Sequence, residues 1–422
     1  MRLVYLRLVA FGAIVGIPAA LVAAGFMALV SELEQLLWDD LPDALGHDSV
    51  PLYLVIALPV VGAALVAAAR AFLPGDGGAA PGGGLKMHPT PPKAAAGVAL
   101  AALGTLSFGA VLGPEAPLIA LGAAVGTGVA MLLRRHDERE QRVLGLAGSF
   151  SAISALFGGP LVAGMLLVEA SAAKLGATLI PTLIPGLVAA ACGYVLFVGL
   201  GDWGGLDTVP LSVPGLPDYD GTRIADLLIG AAVGVLTAVV VVAAFRMAGP
   251  VADRREHGWS MPALLLAGGL ATGGLAAAAD LLGASSQDVL FSGQASIPSL
   301  IEENSAGIVV VLLAAKMLAY GICLGCGFRG GPVFPAIFAG VGLATLAVIA
   351  FDMSPTAAVA IGTAAGMTAG TRLLFSGLLL ALLLVGTAGI DAIPAAVFAG
   401  AAAYLTRAAL DPEPAPDVTP AR

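Results

Sequence analysis

The same short motif occurs twice in this sequence, at residues 113–122 and 331–340, and each copy opens a long apolar run. The first copy reads Gly-Pro-Glu-Ala-Pro-Leu-Ile-Ala-Leu-Gly and the second reads Gly-Pro-Val-Phe-Pro-Ala-Ile-Phe-Ala-Gly. Glycine and proline grouped in this way interrupt helices. In an apolar chain, an interruption places the positive N-terminus of a helix inside the membrane, where it attracts an anion. Two interruptions at corresponding places in a chain indicate a transport site.

Composition predicts a membrane protein. The 422 residues are 59% apolar and 11% charged, whereas soluble domains carry about 25% charged residues. Apolar blocks recur along the chain, many of them near the length of about 20 residues that a membrane-spanning helix needs. We therefore expect a multi-pass protein of the cell membrane, embedded in the lipid bilayer. The net charge of −9 argues against a nucleic-acid partner.

The apolar blocks fall into two predicted membrane repeats, residues 1–200 and 224–408. The polar segment 201–223, rich in Gly, Pro and Asp, is predicted to be an exposed connecting loop, and the Pro-rich tail 409–422 is predicted to be disordered. A second repeat supports this division, because residues 147–168 resemble residues 364–385 and each segment follows its own Gly-Pro motif. The residues leave open whether the two halves are parallel or inverted.

Glu115 is the candidate gate. It lies between two prolines in the first turn of a predicted helix, where the helix dipole favours a carboxylate. An ionisable group at membrane depth is a functional candidate, and this one can occupy an anion site as a tethered substitute that leaves when it is protonated. The alternative is a simple helix cap or a partner of a lysine. In the second motif, the backbone N–H groups of Val333 and Phe334 face the interruption and suit an anion; the alternative there is a tight helix–helix contact.

Other polar side chains in apolar surroundings give weaker signals. Glu169 ends an apolar run and is either a proton relay or an interfacial residue. Lys316 is expected to pair with a carboxylate; the alternative is that it attracts anions. Cys323 and Cys326 have the spacing of a metal or redox pair. No other Cys or His lies near them in the sequence, so we expect packing residues, no bound metal and no cofactor.

Together these segments resemble the CLC family of chloride channels and proton-coupled chloride antiporters. Residues 111–117 (Val-Leu-Gly-Pro-Glu-Ala-Pro) are similar to that family's V-L-G-R-E-G-P segment, and residues 330–335 (Gly-Gly-Pro-Val-Phe-Pro) to its G-G-x-F-x-P segment. Residues 157–161 and 291–294, together with Lys316, also match, and the resemblance covers roughly residues 5–408. It implies an all-α, inverted-repeat helical bundle with broken, re-entrant helices, assembled as a homodimer without regulatory domains.

The resemblance also assigns roles to residues. Glu115 would be the gate, and the backbone N–H groups of Glu115, Ala116, Val333 and Phe334 would bind the anion. Gly83 would also belong to the anion-binding residues. The sequence departs from the family where Gly83 stands in place of a chloride-binding serine and where Ala170, the neighbour of Glu169, stands in place of an internal proton glutamate. The family's pore tyrosine falls beyond the last apolar block. These departures predict a weaker inner anion site and argue against the usual proton-coupling route.

The sequence therefore predicts channel-like transport of chloride or a similar small anion, with no enzymatic activity. One alternative is a proton-coupled chloride or fluoride antiporter in which Glu169 relays protons. A second is a non-conducting membrane scaffold or sensor, which the missing serine and tyrosine favour and the retained Glu115 disfavours. A third, a carrier of an organic solute, would need more polar side chains at membrane depth than this sequence has.

Overall fold

The computed structural model describes seven stretches of the chain, residues 2–78, 89–135, 137–175, 179–200, 203–206, 211–256 and 260–412. In these stretches the fold is almost entirely helical, with 17 α-helices and two isolated β-bridges. Nine helical segments of the described chain are long and apolar enough to cross a membrane. The predicted all-α membrane fold is confirmed.

Eight helices precede residue 200: α1 (Arg2–Gln35), α2 (Leu41–Ala44), α3 (Leu52–Phe72), α4 (Ala95–Leu106), α5 (Glu115–Leu132), α6 (Glu138–Leu156), α7 (Pro160–Leu175) and α8 (Leu179–Val198). Nine follow residue 220: α9 (Ile224–Glu256), α10 (Met261–Leu281), α11 (Ser286–Val289), α12 (Ile297–Glu302), α13 (Ala306–Cys326), α14 (Val333–Phe351), α15 (Pro355–Thr371), α16 (Leu374–Val385) and α17 (Ile393–Leu410).

Helices begin and end at the positions predicted from the glycine and proline residues. Each copy of the Gly-Pro motif lies at a break, with its proline as the N-cap residue of α5 or α14. Before the second break, α13 ends at Gly327, whose φ of +100° is a left-handed conformation that favours glycine. The second repeat also gives two broken helices, since α6 ends at Leu156 before α7, and α15 ends at Thr371 before α16. The predicted broken helices are therefore present at both repeats.

Small residues bring the helices close together in the same way on both sides of the connecting loop. Gly16 of α1 lies against the backbone carbonyl of Ala189 of α8, and Gly234 of α9 lies against that of Ala399 of α17. A methyl group at either glycine would overlap that carbonyl. Close approach of this kind stabilises helix pairs in lipid, where the hydrophobic effect does not act between them.

Residues 211–223 of the connecting loop are anchored to the helices near the end of α16. Its Tyr219 N–H donates to the carbonyl of Ala388 at 2.9 Å, and the Tyr219 hydroxyl donates to an Asp226 carboxylate oxygen at 2.5 Å. Burial, together with the hydrogen bond to Asp226, raises the pKa of Tyr219 to about 12. The loop therefore carries exposed residues but is tied down by one buried side chain.

Candidate anion site

The two Gly-Pro motifs meet each other at the centre of the fold. The N–H of Gly113 donates to the carbonyl of Gly331 at 2.8 Å, and the N–H of Gly331 donates to the carbonyl of Gly113 at 2.5 Å. This pair forms an isolated antiparallel bridge. Because each glycine precedes the N-cap proline of its helix, the bridge brings the N-termini of α5 and α14 together.

The carboxylate of Glu115 lies at this junction. Glu115 is the first residue of α5 and is completely buried. Its Oε1 accepts a hydrogen bond from the N–H of Phe334 in the first turn of α14, at 3.3 Å. Its Oε2 is buried and has no hydrogen-bond partner among the described residues. One carboxyl group thus lies between the positive ends of two helices.

Two glycines make room for this carboxylate. A methyl group at Gly113 or at Gly331 would overlap the oxygen atoms of Glu115. The methyl position at Gly331 is also 3.2 Å from the backbone nitrogen of Ala116. We call the space between Gly113, Gly331 and the N–H groups of Ala116 and Phe334 the carboxylate seat. Only a residue without a side chain leaves it open from both motifs.

Of the site residues expected from the sequence, the structure places Glu115, Ala116 and Phe334 around the seat. Val333 is fully buried as the first residue of α14. Gly83, the residue that stands in place of the family's serine, lies outside the described residues. The predicted proximity of the two motifs is therefore present, and the contribution of Gly83 stays a prediction.

Two aromatic side chains support the second motif. The hydroxyl of Tyr320 on α13 donates to the carbonyl of Pro332 at 3.1 Å, which fixes the start of α14. The ring of Phe157, at the break between α6 and α7, stacks on the ring of Phe334 with centroids 5.8 Å apart. Phe157 belongs to the segment 157–161 that resembles the family, whereas Tyr320 lies inside α13, where the sequence offered no signal for its role.

Cys323 packs behind the first motif. Its Sγ accepts a hydrogen bond from the N–H of Val111 at 3.4 Å and lies 3.4 Å from the hydroxyl of Thr272. Cys323 and Cys326 are both buried. Among the described residues no group of three or more His, Cys, Asp and Glu side chains is arranged to hold a metal.

Lys316 interacts with backbone carbonyls instead of the carboxylate partner expected from the sequence. Its fully buried ammonium donates to the carbonyls of Asp288, Val289 and Leu290 at 2.9, 3.2 and 2.7 Å, at the C-terminal end of α11. The ammonium also lies 4.6 Å from the centre of the Phe338 ring. A cation is stabilised by the negative end of a helix and by an aromatic face, so these contacts hold the ammonium in place.

Glu169 is held away from the carboxylate seat by hydrogen bonds to α16. Its Oε1 accepts from the N–H of Phe375 at 2.9 Å, and its Oε2 accepts from the N–H and the hydroxyl of Ser376 at 2.9 and 2.7 Å. The carboxylate of one helix thus caps the N-terminus of another.

Comparisons with known proteins show the family of this chain. The family model described as "Voltage gated chloride channel" matches residues 78–407. The protein named "Putative ion-transport protein YfeO" from Escherichia coli strain 55989 is 32% identical over 342 residues, which are 78% of this chain and 76% of that protein. The same protein from strain K12 DH10B matches with the same identity and coverage.

Three solved structures share the fold. A slow cyanobacterial Cl−/H+ antiporter superposes with a TM-score of 0.77 and 16% identity, over 97% of this chain and 96% of that one. A eukaryotic CLC transporter superposes with a TM-score of 0.74 and 17% identity, over 97% and 73% of the chains. A CLC-type fluoride/proton antiporter superposes with a TM-score of 0.68 and 19% identity, over 95% of both chains.

Proposed function

This chain belongs to the voltage gated chloride channel family, and we propose that it carries chloride or a similar small anion across the cell membrane by a channel-like route. The observation that carries the proposal is the carboxylate seat, where the Glu115 carboxylate lies between the N-termini of α5 and α14. A carboxylate oxygen and a halide ion carry the same sign of charge and are stabilised by the same N–H donors. The seat therefore suits a free anion whenever Glu115 leaves it.

Glu115 is the gate in this proposal. In the closed state its carboxylate fills the seat and excludes other anions. Protonation removes the charge that the two helix ends stabilise, and the side chain then leaves, so anion flux rises on acidification. The N–H groups of Ala116, Val333 and Phe334 would hold the passing ion. Neutral donors bind an anion without trapping it, which rapid transport requires.

The anchoring of Glu169 supports passive transport over proton-coupled exchange. Three hydrogen bonds hold its carboxylate at the start of α16. A side chain that relays protons moves between a proton donor and a proton acceptor, whereas these hydrogen bonds fix Glu169 in one position. The second candidate function is proton-coupled antiport of chloride or fluoride. It is favoured by two solved structures that share the fold, one of a Cl−/H+ antiporter and one of a fluoride/proton antiporter.

Exposed apolar side chains bear on the oligomeric state of the protein. We propose a homodimer in the cell membrane, as the family resemblance implies. Large apolar side chains such as Leu161, Ile224 and Leu228 are more than two-thirds exposed on the single chain. In a membrane protein such side chains face either lipid or a second copy. Cross-linking in native membranes would separate a dimer from a monomer.

Reconstitution in liposomes tests the function. Vesicles loaded with chloride would be diluted into chloride-poor buffer, and efflux would be followed with a chloride electrode. Efflux that needs only a potassium ionophore, with no movement of protons, supports the channel-like route. Efflux accompanied by opposing proton movement supports antiport. The absence of efflux of chloride, fluoride and nitrate would refute both and leave the scaffold or sensor.

A further inference from the structure

Two side chains of α13 each hold one of the two Gly-Pro motifs. The hydroxyl of Tyr320 donates to the carbonyl of Pro332, the N-cap residue of α14, at 3.1 Å. About one turn further along α13, Sγ of Cys323 accepts from the N–H of Val111, which lies just before Gly113, at 3.4 Å. Both side chains are completely buried. We call Tyr320 and Cys323 the α13 anchor.

The helix that carries the α13 anchor is itself held tightly against α9. Gly321 and Gly325 of α13 face the backbone of α9. A methyl group at either glycine would lie 2.9 Å from a carbonyl oxygen, that of Ala244 or that of Ala248. Small residues four positions apart let two helices approach closely, which favours their association in lipid. The anchor is therefore attached to a helix pair that has little room to move.

The α13 anchor adds a second attachment to each motif. The bridge between Gly113 and Gly331 fixes one point of each motif, and one point does not by itself fix the direction of the helix that follows. The anchor fixes a further point, at Val111 in the first motif and at Pro332 in the second. Two points define an orientation. Bridge and anchor together therefore set the angle and the separation at which the N-termini of α5 and α14 face each other.

The separation of the two helix ends sets the width of the carboxylate seat. The seat is bordered by the N–H of Ala116 on α5 and by the N–H of Phe334 on α14. Donors on two different helices match an anion of one radius when the helices cannot move apart. Without a second attachment, the helix ends would adjust to anions of different radius, and discrimination between those anions would fall.

We propose that Tyr320 and Cys323 determine the anion selectivity of the carboxylate seat, by holding the two helix N-termini at a separation that suits chloride and excludes a larger monovalent anion such as iodide. Both act through the backbone of the motifs and are positioning residues. This inference rests on the proposed anion transport and adds a determinant of its selectivity. In the competing explanation, the two side chains only provide hydrogen-bond partners for the Pro332 carbonyl and the Val111 N–H, which stabilises the fold and has no effect on selectivity.

The decisive experiment measures the ratio of chloride flux to iodide flux in the liposome assay. Tyr320→Phe keeps the ring and removes only the hydroxyl, and Cys323→Ala removes the sulfur acceptor. Each variant should lower the ratio by about 2- to 10-fold, the factor that corresponds to one hydrogen bond. Cys323→Ser retains an acceptor and should restore most of the ratio. A lower melting temperature with an unchanged ratio would overturn the proposal, as would a wild-type ratio near one.

Two matched variants control for the loss of a polar group inside the protein. Thr345→Val removes a buried hydroxyl of α14 that donates to the carbonyl of Val341 in the same helix, at 3.0 Å. Cys192→Ala removes a half-buried thiol of α8. Both controls should keep the wild-type ratio of chloride flux to iodide flux. A control that loses as much selectivity as Tyr320→Phe would show a general loosening of the fold, and it would count against the α13 anchor.

Anion binding in detergent separates this proposal from the proposed function. An anion that binds the folded protein raises its melting temperature. At equal ionic strength, chloride should therefore protect wild type more than iodide does, and Tyr320→Phe should narrow that difference.

The three possible combinations of flux and protection have different meanings. A narrowed difference in a protein that shows no flux would support the α13 anchor and refute transport. Flux with the same selectivity in wild type and in both anchor variants would refute the anchor and keep transport. A protein with neither flux nor protection would refute both. If Cys323→Ala does not fold, the comparison of Tyr320→Phe with Thr345→Val still decides the question.

Discussion

Replacing Glu115 by glutamine should open the anion path, and the contacts of the seat set the size of the effect. The variant keeps the length of the side chain and one acceptor oxygen but loses the charge. A hydrogen bond to a charged group contributes about 1.5–3 kcal/mol and a neutral one about 0.5–1.5 kcal/mol. The hydrogen bond from the Phe334 N–H is long, at 3.3 Å. The free energy lost when its charged acceptor becomes neutral is therefore at the lower end of this difference, about 1 kcal/mol.

The two helix N-termini add to this loss. Each stabilises a nearby carboxylate by about 0.3–1 kcal/mol, and more when the group is partly buried. The seat therefore loses roughly 2–3 kcal/mol of preference for the closed state. This corresponds to a closed-to-open ratio that falls about 30- to 150-fold, since each 1.4 kcal/mol is a factor of ten.

Chloride efflux from liposomes measures the effect. The assay would run from about pH 4.5 to about pH 8, because perturbed carboxylates in proteins titrate in roughly this range. Wild-type flux should rise on acidification, because protonation neutralises the carboxylate as glutamine does. Flux through Glu115→Gln should be high at every pH. Glu32→Gln, at an exposed position on α1, is the control and should behave like wild type. A Glu115→Gln variant with wild-type flux and wild-type pH dependence would refute the gate.

Three further predictions follow from other contacts. Gly331→Ala should expel the Glu115 carboxylate from its seat, so chloride flux through this variant should approach that of Glu115→Gln. Gly128→Ala is the control, because a methyl group there makes only ordinary contacts and should leave flux unchanged. Equal flux in both glycine variants would contradict the seat. Glu169→Gln should lower the free energy of unfolding by about 1–3 kcal/mol, which would be measured as a lower melting temperature in detergent. Proton movement should not change. A variant that loses proton-coupled flux would instead establish Glu169 as a relay. Folding raises the pKa of Tyr219 from 10 to about 12. The contribution of its hydroxyl to stability is therefore complete below pH 10 and is lost as the pH rises through 12. Melting curves should show this loss in wild type and not in Tyr219→Phe, and an identical pH dependence in both proteins would contradict the prediction.

The broken helices were predictable because their causes are local. Pro114 and Pro332 cannot continue a helix from the preceding residues, and each is followed by an apolar run that starts a new one. The motif also placed Glu115 in the first turn of α5, where the structure has it. Sequence therefore predicted which residues begin each helix, since the start of a helix depends on neighbours only a few residues away.

The partners across the fold were not predictable. The expectation of a carboxylate beside Lys316 was wrong, because three carbonyls at the end of α11 take that place. Arg70 and Arg329 share Asp76 although Arg329 is 253 positions from it in the chain. Sequence offered only single charged residues at these positions. Which of them meet depends on how helices far apart in the chain pack, and no local pattern carries that information.

The bond between Glu115 and Phe334 has a consequence for biosynthesis. The two residues are 219 positions apart, so the ribosome needs about 10 to 45 s after adding the first to add the second, at roughly 5–20 residues per second. During that interval α5 is available for insertion while the opposing helix end does not yet exist. A newly inserted Glu115 must keep contact with water or lipid headgroups until then. Membrane insertion and assembly of the ion path are thus separate events, and a ribosome that stalls between them leaves a charged helix end without its partner.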